Sequence, residues 1–469
     1  MARTTWHRHL VLQRHVLALA IAALAFSLGG SLTRAADAPQ AVPAYHLEVG
    51  QELKYKQDTD SKRGEGKARS SYSMHTDWTA SVVAKNSDGS YRVLLRSAQS
   101  YKFDGKSAGR SHDSFGYCDV FPDGRVITNP TTGFSIDPTS LFPKLAENAK
   151  ELAAGWQTVH GQDDARCSFK VESQPKATAG EWTIAETSKT PLDEIYLVNR
   201  QTTIDVDANR GLMTKTRTET TQDWGSKSKS NGTLSLVSVE KHNAEWGQKL
   251  WADADRYFRA DRAYDDKVSQ AAKSEKDSKK LLEEAKAILT AAEKDVITPL
   301  FKEQLAEGLK SHERRAKYTA EEAERRAKVV GKPAVDFEAT DLAGKSHALK
   351  DYKGKVVVLD FWYRGCGWCM RAMPQMKQLA AEFKQAPVVI IGMNIDPVEA
   401  DAKLVVDKMK LDYATLRVDR KVPQQFGVRG YPTLVIIDPQ GKVHDLHVGY
   451  SPTLQQEVGE VVRQLLAKR

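Results

Sequence analysis

Two cysteines, Cys366 and Cys369, are the side chains of this sequence best suited to chemistry. They follow an apolar run, 356–361, typical of a strand buried on both faces, and precede a pattern typical of a helix. At a helix N-terminus, free N–H groups and the helix dipole stabilise the thiolate of the first cysteine. The second, one turn deeper, can attack a mixed disulfide formed by the first. The motif therefore predicts dithiol–disulfide exchange by both cysteines.

Metal binding is the alternative role of such a pair, but a zinc site needs further ligands. His444 and His447 are the tempting candidates. Because they lie three positions apart on a predicted strand, they point to opposite faces. The sequence therefore predicts no metal, and no cofactor is expected.

Asp360 lies inside the predicted buried strand, six positions before Cys366. Burial disfavours the charged form of a carboxyl group and raises its pKa. We interpret Asp360 as the third catalytic residue, which accepts the proton of the Cys369 thiol. The alternative is an edge residue that reaches water.

Four further residues are predicted to shape the substrate-binding surface. Trp362 is expected to pack beneath the cysteines, and Trp368 lies between them. Tyr431 and Pro432 precede another buried strand, where a proline is hard to place unless its peptide bond is special. A cis Tyr431–Pro432 bond is therefore predicted, with backbone groups beside the cysteines.

Residues 1–36 have the layout of a secretory signal peptide. A basic segment without acids precedes an uncharged run, 16–28, and Thr33 and Ala35 occupy the −3 and −1 positions of a cleavage site. The run is shorter than the roughly 20 residues that span a bilayer. The sequence therefore predicts export to the periplasm or cell envelope, and a retained N-terminal anchor is the alternative.

The remaining cysteines of the chain are Cys118 and Cys167. Four cysteines in total exclude a disulfide-dense scaffold. In an exported protein, a structural disulfide between Cys118 and Cys167 is the simple interpretation, and it would stabilise the fold by about 4 kcal/mol. The alternative is two buried thiols.

The length of 469 residues indicates several domains. Residues 40–245 alternate like antiparallel strands with turns between them, which predicts a sandwich or curled sheet of unknown function. Residues 246–330 contain a larger fraction of charged residues than the 28% of the whole chain. The spacing of their apolar residues predicts a helical connector of at least two helices. Residues 331–469 alternate strands and helices, which predicts an α/β domain. The net charge of +8 is too modest to indicate nucleic acid as a partner.

The segment 335–469 resembles the TlpA/ResA-like thiol–disulfide oxidoreductases of the AhpC/TSA–redoxin group. The resemblance rests on Gly331-Lys-Pro-Ala-Val-Asp-Phe, Leu349-Lys-Asp-Tyr-Lys-Gly-Lys, Val358-Leu-Asp-Phe-Trp, the cysteine pair, Asn394-Ile-Asp, Val428-Arg-Gly-Tyr-Pro-Thr and Asp438-Pro-Gln-Gly-Lys. It implies a thioredoxin-like fold with an extra N-terminal hairpin, a cis Pro432 and exchange with protein thiols and disulfides. Since most members are reductants, it also implies a membrane-borne electron donor.

The sequence departs from this pattern at three positions. Gly365 stands before Cys366, where these proteins usually have tryptophan. Ala372 replaces a glutamate found in some members, and Gly392 replaces a lysine of the thioredoxins proper. A buried proton relay would therefore depend on Asp360 with less help from other charged groups.

Two other functions compete with exchange. A peroxiredoxin would need Pro-x-x-x-Thr-x-x-Cys, but Leu359 and Tyr363 occupy the proline and threonine positions before Cys366. A binding or scaffolding protein is the second alternative, in which the β-rich domain recruits partners. The oligomeric state is not indicated by the sequence.

Overall fold

The computed structural model describes most of the chain after the predicted signal peptide, which lies outside the described residues. The described ranges are 42–64, 70–110, 113–128, 138–160, 165–175, 180–189, 198–223 and 227–468.

A twelve-stranded antiparallel sheet forms the first half of the described chain. Its strands alternate buried and more exposed residues, as period-two patterning requires. The strand order is β6-β5-β3-β2-β1-β12-β11-β10-β9-β8-β7, with β4 paired to β3. The strands are β1 Gln51–Arg63, β2 Ser70–Lys85, β3 Tyr91–Phe103, β4 Lys106–Arg110, β5 Ser114–Val120, β6 Val126–Thr128, β7 Trp156–His160, β8 Ala165–Ser173, β9 Glu181–Lys189, β10 Asn199–Asp207, β11 Leu212–Asp223 and β12 Lys227–Lys241. A short helix, α1 (Ala149–Ala154), precedes β7.

Cys118 and Cys167, the pair predicted to form a structural disulfide, both lie in the described part of the sheet. Cys118 lies on β5 and Cys167 on β8, near opposite ends of the strand order. Both are nevertheless buried in one core cluster together with Trp78 and Ile184. The sheet therefore curls around a single core, as one of the two sequence interpretations proposed. The disulfide between Cys118 and Cys167 stays a prediction.

The state of these two cysteines can be measured by counting reactive thiols. With the predicted disulfide formed, alkylation of the oxidised protein in denaturant without reductant is expected to label none of the four cysteines. Cys366 and Cys369 are protected because they form a disulfide. Reduction before alkylation serves as the control and should label all four cysteines. Labels on Cys118 and Cys167 in the unreduced chain would contradict the predicted disulfide.

Three long helices follow the sheet: α2 (Ala244–Lys273), α3 (Ser278–Asp295) and α4 (Pro299–Val329). They share a core cluster in which Phe301 of α4 packs with Phe115 of the sheet, at a ring-centroid distance of 5.5 Å. The region is thus a layer packed on the sheet, whereas the sequence predicted a solvated connector. None of the described helices is long and apolar enough to cross a membrane.

Thr298 and Pro299 fix the N-terminus of α4 within the helical layer. Pro299 occupies the first turn, where its missing N–H is not needed. The Thr298 hydroxyl does not cap the helix and instead donates a 2.6 Å hydrogen bond to Asp253 of α2. The carboxylate of Asp253 also accepts the N–H groups of Ile297 and Thr298, so it joins α2 to α4.

The last part of the chain is a five-stranded sheet with helices on both faces and an additional hairpin. The hairpin is β13 (Glu338–Thr340) and β14 (Ser346–Ala348), which confirms the extra hairpin implied by the resemblance. The sheet order is β17-β16-β15-β18-β19, with parallel pairs β15–β16 and β16–β17 and antiparallel pairs elsewhere. Its elements are β15 Val356–Trp362, α5 Gly367–Glu382, β16 Val388–Asn394, α6 Glu399–Met409, β17 Thr415–Arg417, α7 Lys421–Gln425, β18 Thr433–Ile437, β19 Val443–Val448 and α8 Leu454–Ala467.

Arg326, near the end of α4, joins the helical layer to this sheet. Its guanidinium is 8% exposed and donates hydrogen bonds to the carbonyl oxygen of Leu446 and the carboxylate of Asp445 on β19. A buried guanidinium costs free energy unless such partners compensate it. The contact therefore attaches the edge strand to α4 in a defined position.

Replacing Arg326 by leucine is expected to lower the free energy of unfolding by about 3 kcal/mol, because Asp445 loses its buried partner. Urea denaturation of the full chain measures the change. Arg325→Leu is the matched control, since Arg325 pairs with Glu322 within α4. The loss there should stay below about 1 kcal/mol. Equal losses in the two variants would show that the Arg326 contact does not join the layers.

Candidate active site

Cys366 and Cys369 form a disulfide at the start of α5, with 5.2 Å between their Cα atoms. Cys366 occupies the N-cap of the helix, where its Sγ accepts a 3.1 Å hydrogen bond from the backbone N–H of Cys369. A thiolate at this position receives the same hydrogen bond and the positive end of the helix dipole. Cys366 is 7% exposed and Cys369 only 1%. An incoming thiol or disulfide therefore meets Cys366 first.

Asp360 lies on β15, where the sequence predicted it, and is 2% exposed. Burial raises the pKa of its carboxyl group to about 7, and the Tyr413 hydroxyl opposes that rise by donating a 3.5 Å hydrogen bond. A carboxyl group with this pKa exists in both protonation states near neutral pH. It can therefore accept and release a proton there.

The loop between β15 and α5 is held by a network that the sequence analysis missed. The backbone N–H of Arg364 donates to Asp396 at 2.9 Å, and its guanidinium donates to Asp401 at 2.6 Å. Asn394 fixes Asp396 in turn through a 2.8 Å hydrogen bond. The Asn394-Ile-Asp motif was noted only as part of the resemblance, although its two polar side chains at the end of a buried strand indicated a loop anchor.

An aromatic surface surrounds the disulfide. Trp368 is 51% exposed, stacks on Tyr450 at 5.6 Å and lies under the guanidinium of Arg371 at 4.7 Å. The Tyr431 ring packs edge-on against Tyr363 at 5.3 Å, and both rings pack against the cluster that contains the cysteines. The structure thus brings Trp368 and Tyr431 of the predicted substrate surface to the site, and Tyr450 was not foreseen because it lies in a distant segment.

The other two residues predicted to shape the substrate-binding surface, Pro432 and Trp362, are buried. The Tyr431–Pro432 bond is cis, as predicted, but Pro432 itself is buried and its carbonyl oxygen accepts the N–H of Gly449 at 2.8 Å. Trp362 is fully buried in the cluster that contains both cysteines. Its ring therefore packs beneath the cysteines, as expected, and its role in substrate binding stays a prediction.

One group of potential metal ligands occurs elsewhere in the described residues. Ligand atoms of Glu52, Glu240 and His242 lie within 4.8 Å of one another. The ammonium of Lys54 already contacts both carboxylates, at 3.2 and 2.6 Å. The cluster is thus charge-compensated by the chain itself.

Comparisons with known proteins point to the same C-terminal segment. The model of the AhpC/TSA family matches residues 330–446. The thiol-disulfide oxidoreductase ResA of Bacillus anthracis is 36% identical over 129 residues, which cover 27% of this chain and 75% of ResA. ResA of Halalkalibacterium halodurans is 34% identical over 129 residues and 73% of its length. The chain belongs to the ResA thiol–disulfide oxidoreductases of the AhpC/TSA family.

A solved structure is similar to part of this chain. The putative thiol:disulfide interchange protein DsbE from Chlorobium tepidum is 30% identical, with a TM-score of 0.28, and covers 29% of this chain and 97% of its own. The family model that defines the ResA-like domain begins at residue 330, so the sheet and the helical layer before it lie outside that match.

Proposed function

We propose that this protein reduces disulfide bonds in proteins of the cell envelope, with Cys366 and Cys369 as the redox pair. The observation that carries the proposal is the placement of the disulfide. Cys366 is accessible at the N-cap of α5, and Cys369 is buried directly behind it. This asymmetry separates an attacking sulfur from a resolving one.

The reaction begins with both cysteines reduced. The Cys366 thiolate attacks a substrate disulfide, so one sulfur–sulfur bond forms as another breaks and one substrate thiolate leaves. Cys369 then transfers its proton to the Asp360 carboxylate and attacks the Sγ of Cys366. This second step releases the other substrate thiolate and forms the disulfide seen in the structure. A donor of two electrons must restore the dithiol.

The aromatic surface around the disulfide is proposed to bind the substrate chain. Trp368 offers a large apolar face beside Cys366, and its contacts with Tyr450 and Arg371 hold the ring in place. Exposed aromatic side chains of this kind supply contact area at low conformational cost. Binding here would bring a substrate disulfide against the accessible sulfur.

Reduction of insulin disulfides with dithiothreitol tests the activity. The wild-type protein should accelerate precipitation of the insulin chains, and Cys366→Ser should not. Trp368→Ala is expected to raise the KM for insulin severalfold with kcat nearly unchanged, since it removes binding area only. Tyr318→Ala is the matched control, because Tyr318 is a 64% exposed aromatic residue on α4. A Cys366→Ser variant as active as wild type would refute the proposed function.

Export and an external electron source complete the proposal. Residues 1–36 support export, and a reductant in an oxidising compartment must be recharged. A membrane-borne dithiol donor fits this requirement. N-terminal sequencing of protein recovered from the periplasm checks export, with a mature chain that begins after Ala35 as the expected result.

A further inference from the structure

The central sheet of the ResA-like domain contains a notch at Gly392. Asp360 on β15, Gly392 on β16 and Thr415 on β17 are register partners, so they form one row across three adjacent strands. Side chains of paired residues point to the same face of a sheet, and so does Trp362, two residues after Asp360. The missing side chain of Gly392 therefore leaves an interruption between a carboxyl group, an indole and a hydroxyl.

Each of these three neighbours carries a buried polar atom that makes no hydrogen bond with any described residue: Asp360 Oδ1, Trp362 Nε1 and Thr415 Oγ1. Two of these atoms, Thr415 Oγ1 and Trp362 Nε1, lie close to Gly392. A Cβ placed on Gly392 would lie 2.8 Å from Thr415 Oγ1 and 3.0 Å from Trp362 Nε1. Buried polar groups are rarely left without partners, because each costs free energy. Three of them around one glycine, on one face of the sheet, indicate a common partner.

We propose that a water molecule binds in the Gly392 notch and joins Trp362, Thr415 and Asp360. The chemistry of the three groups defines the ligand. The indole N–H can only donate, an ionised carboxylate can only accept, and the hydroxyl can do either. The ligand must therefore both accept and donate, and it must be small. Water meets both conditions, and buried waters typically make about three such hydrogen bonds.

The absence of a side chain at Gly392 is required by this arrangement. Alanine would place its methyl group within 3.0 Å of both polar atoms, which is closer than ordinary van der Waals contact. The methyl group would push these atoms aside and would offer no hydrogen bond. Gly392 is therefore a positioning residue, because a side chain there would displace the groups that bind the water.

The water has a role in the reaction if Asp360 accepts the proton of Cys369, so this consequence rests on the proposed function. A hydrogen bond donated to the carboxylate favours its ionised form and opposes the effect of burial. The water thus keeps Asp360 ready to take a proton at neutral pH. Trp362 and Thr415 contribute by fixing the oxygen of the water, without touching the substrate.

A high-resolution crystal structure of the oxidised full chain tests the site directly. The expected result is an ordered water within hydrogen-bond distance of Trp362 Nε1, Thr415 Oγ1 and Asp360 Oδ1. A notch that is dry, or in which Thr415 bonds directly to Trp362, overturns the proposal. This readout does not depend on activity, so it separates failure of the water site from failure of the proposed function.

Titration of Asp360, followed by carbon NMR of its carboxyl group, tests the coupling. Thr415→Val keeps the shape of the side chain and removes one partner of the water, so the pKa of Asp360 should rise by roughly one unit. Thr415→Ser should restore the wild-type value. Thr319→Val is the matched control, a buried threonine on α4. An unchanged Asp360 titration in Thr415→Val would contradict the coupling.

Discussion

A Cys369→Ser variant is expected to accumulate in cells as covalent adducts between Cys366 and its protein substrates. Cys366 still attacks a substrate disulfide, because its N-cap position and its hydrogen bond from the residue 369 backbone N–H do not need the second sulfur. The serine hydroxyl cannot resolve the mixed disulfide, since an alcohol is a far weaker nucleophile than a thiolate. Non-reducing electrophoresis should show discrete higher bands that reductant removes.

The Cys366→Ser variant is the matched control for this trap. Its remaining cysteine, Cys369, is 1% exposed, so it should capture little or nothing. Mass spectrometry of the adducts identifies the substrates and the cysteine that holds them. Adducts formed equally well by both variants would contradict the assignment of Cys366 as the attacking sulfur.

The chemistry of the site was predictable because it is local in sequence. Cys366, Cys369 and Asp360 belong to one strand–helix unit, and their order along the chain already determines which sulfur is exposed and which carboxyl group is buried. The cis bond before Pro432 followed from the same kind of local constraint. The exposure of Trp362 was harder to predict, since it depends on which face of the sheet is covered.

Long-range contacts escaped the sequence analysis. The stacking of Tyr450 on Trp368 joins segments that only the sheet brings together. The partnership of Gly392 with Thr415 depends on the register of β16 and β17, which hydrophobic patterning does not specify for individual residues. Similarly, the high charge of residues 246–330 suggested a solvated connector. Three amphipathic helices instead bury a shared apolar core against the sheet.

Replacing Asp360 by asparagine is expected to stabilise the oxidised protein at pH 8. Burial raises the pKa of this carboxyl group from 3.8 to about 7, so the folded chain retains a proton that the unfolded chain has released. The stability of the wild type therefore falls as pH rises from about 4 to about 7, and the loss persists above that range. The full penalty is on the order of 4 kcal/mol, which the neutral asparagine removes. Urea denaturation from pH 4 to pH 8 measures this difference.

The same substitution is expected to slow the resolution of mixed disulfides, because the amide cannot accept the proton of Cys369. Asp412→Asn is the control: Asp412 is exposed beside Tyr413, and its loss should change neither the pH dependence of stability nor the rate. In the wild type, the resolving step should slow as pH falls below about 7, where Asp360 becomes protonated. A variant that unfolds more easily than wild type at pH 8 would show that Asp360 stabilises the fold there. A variant that gains stability and loses rate would show that the fold retains a destabilising carboxylate for its chemistry.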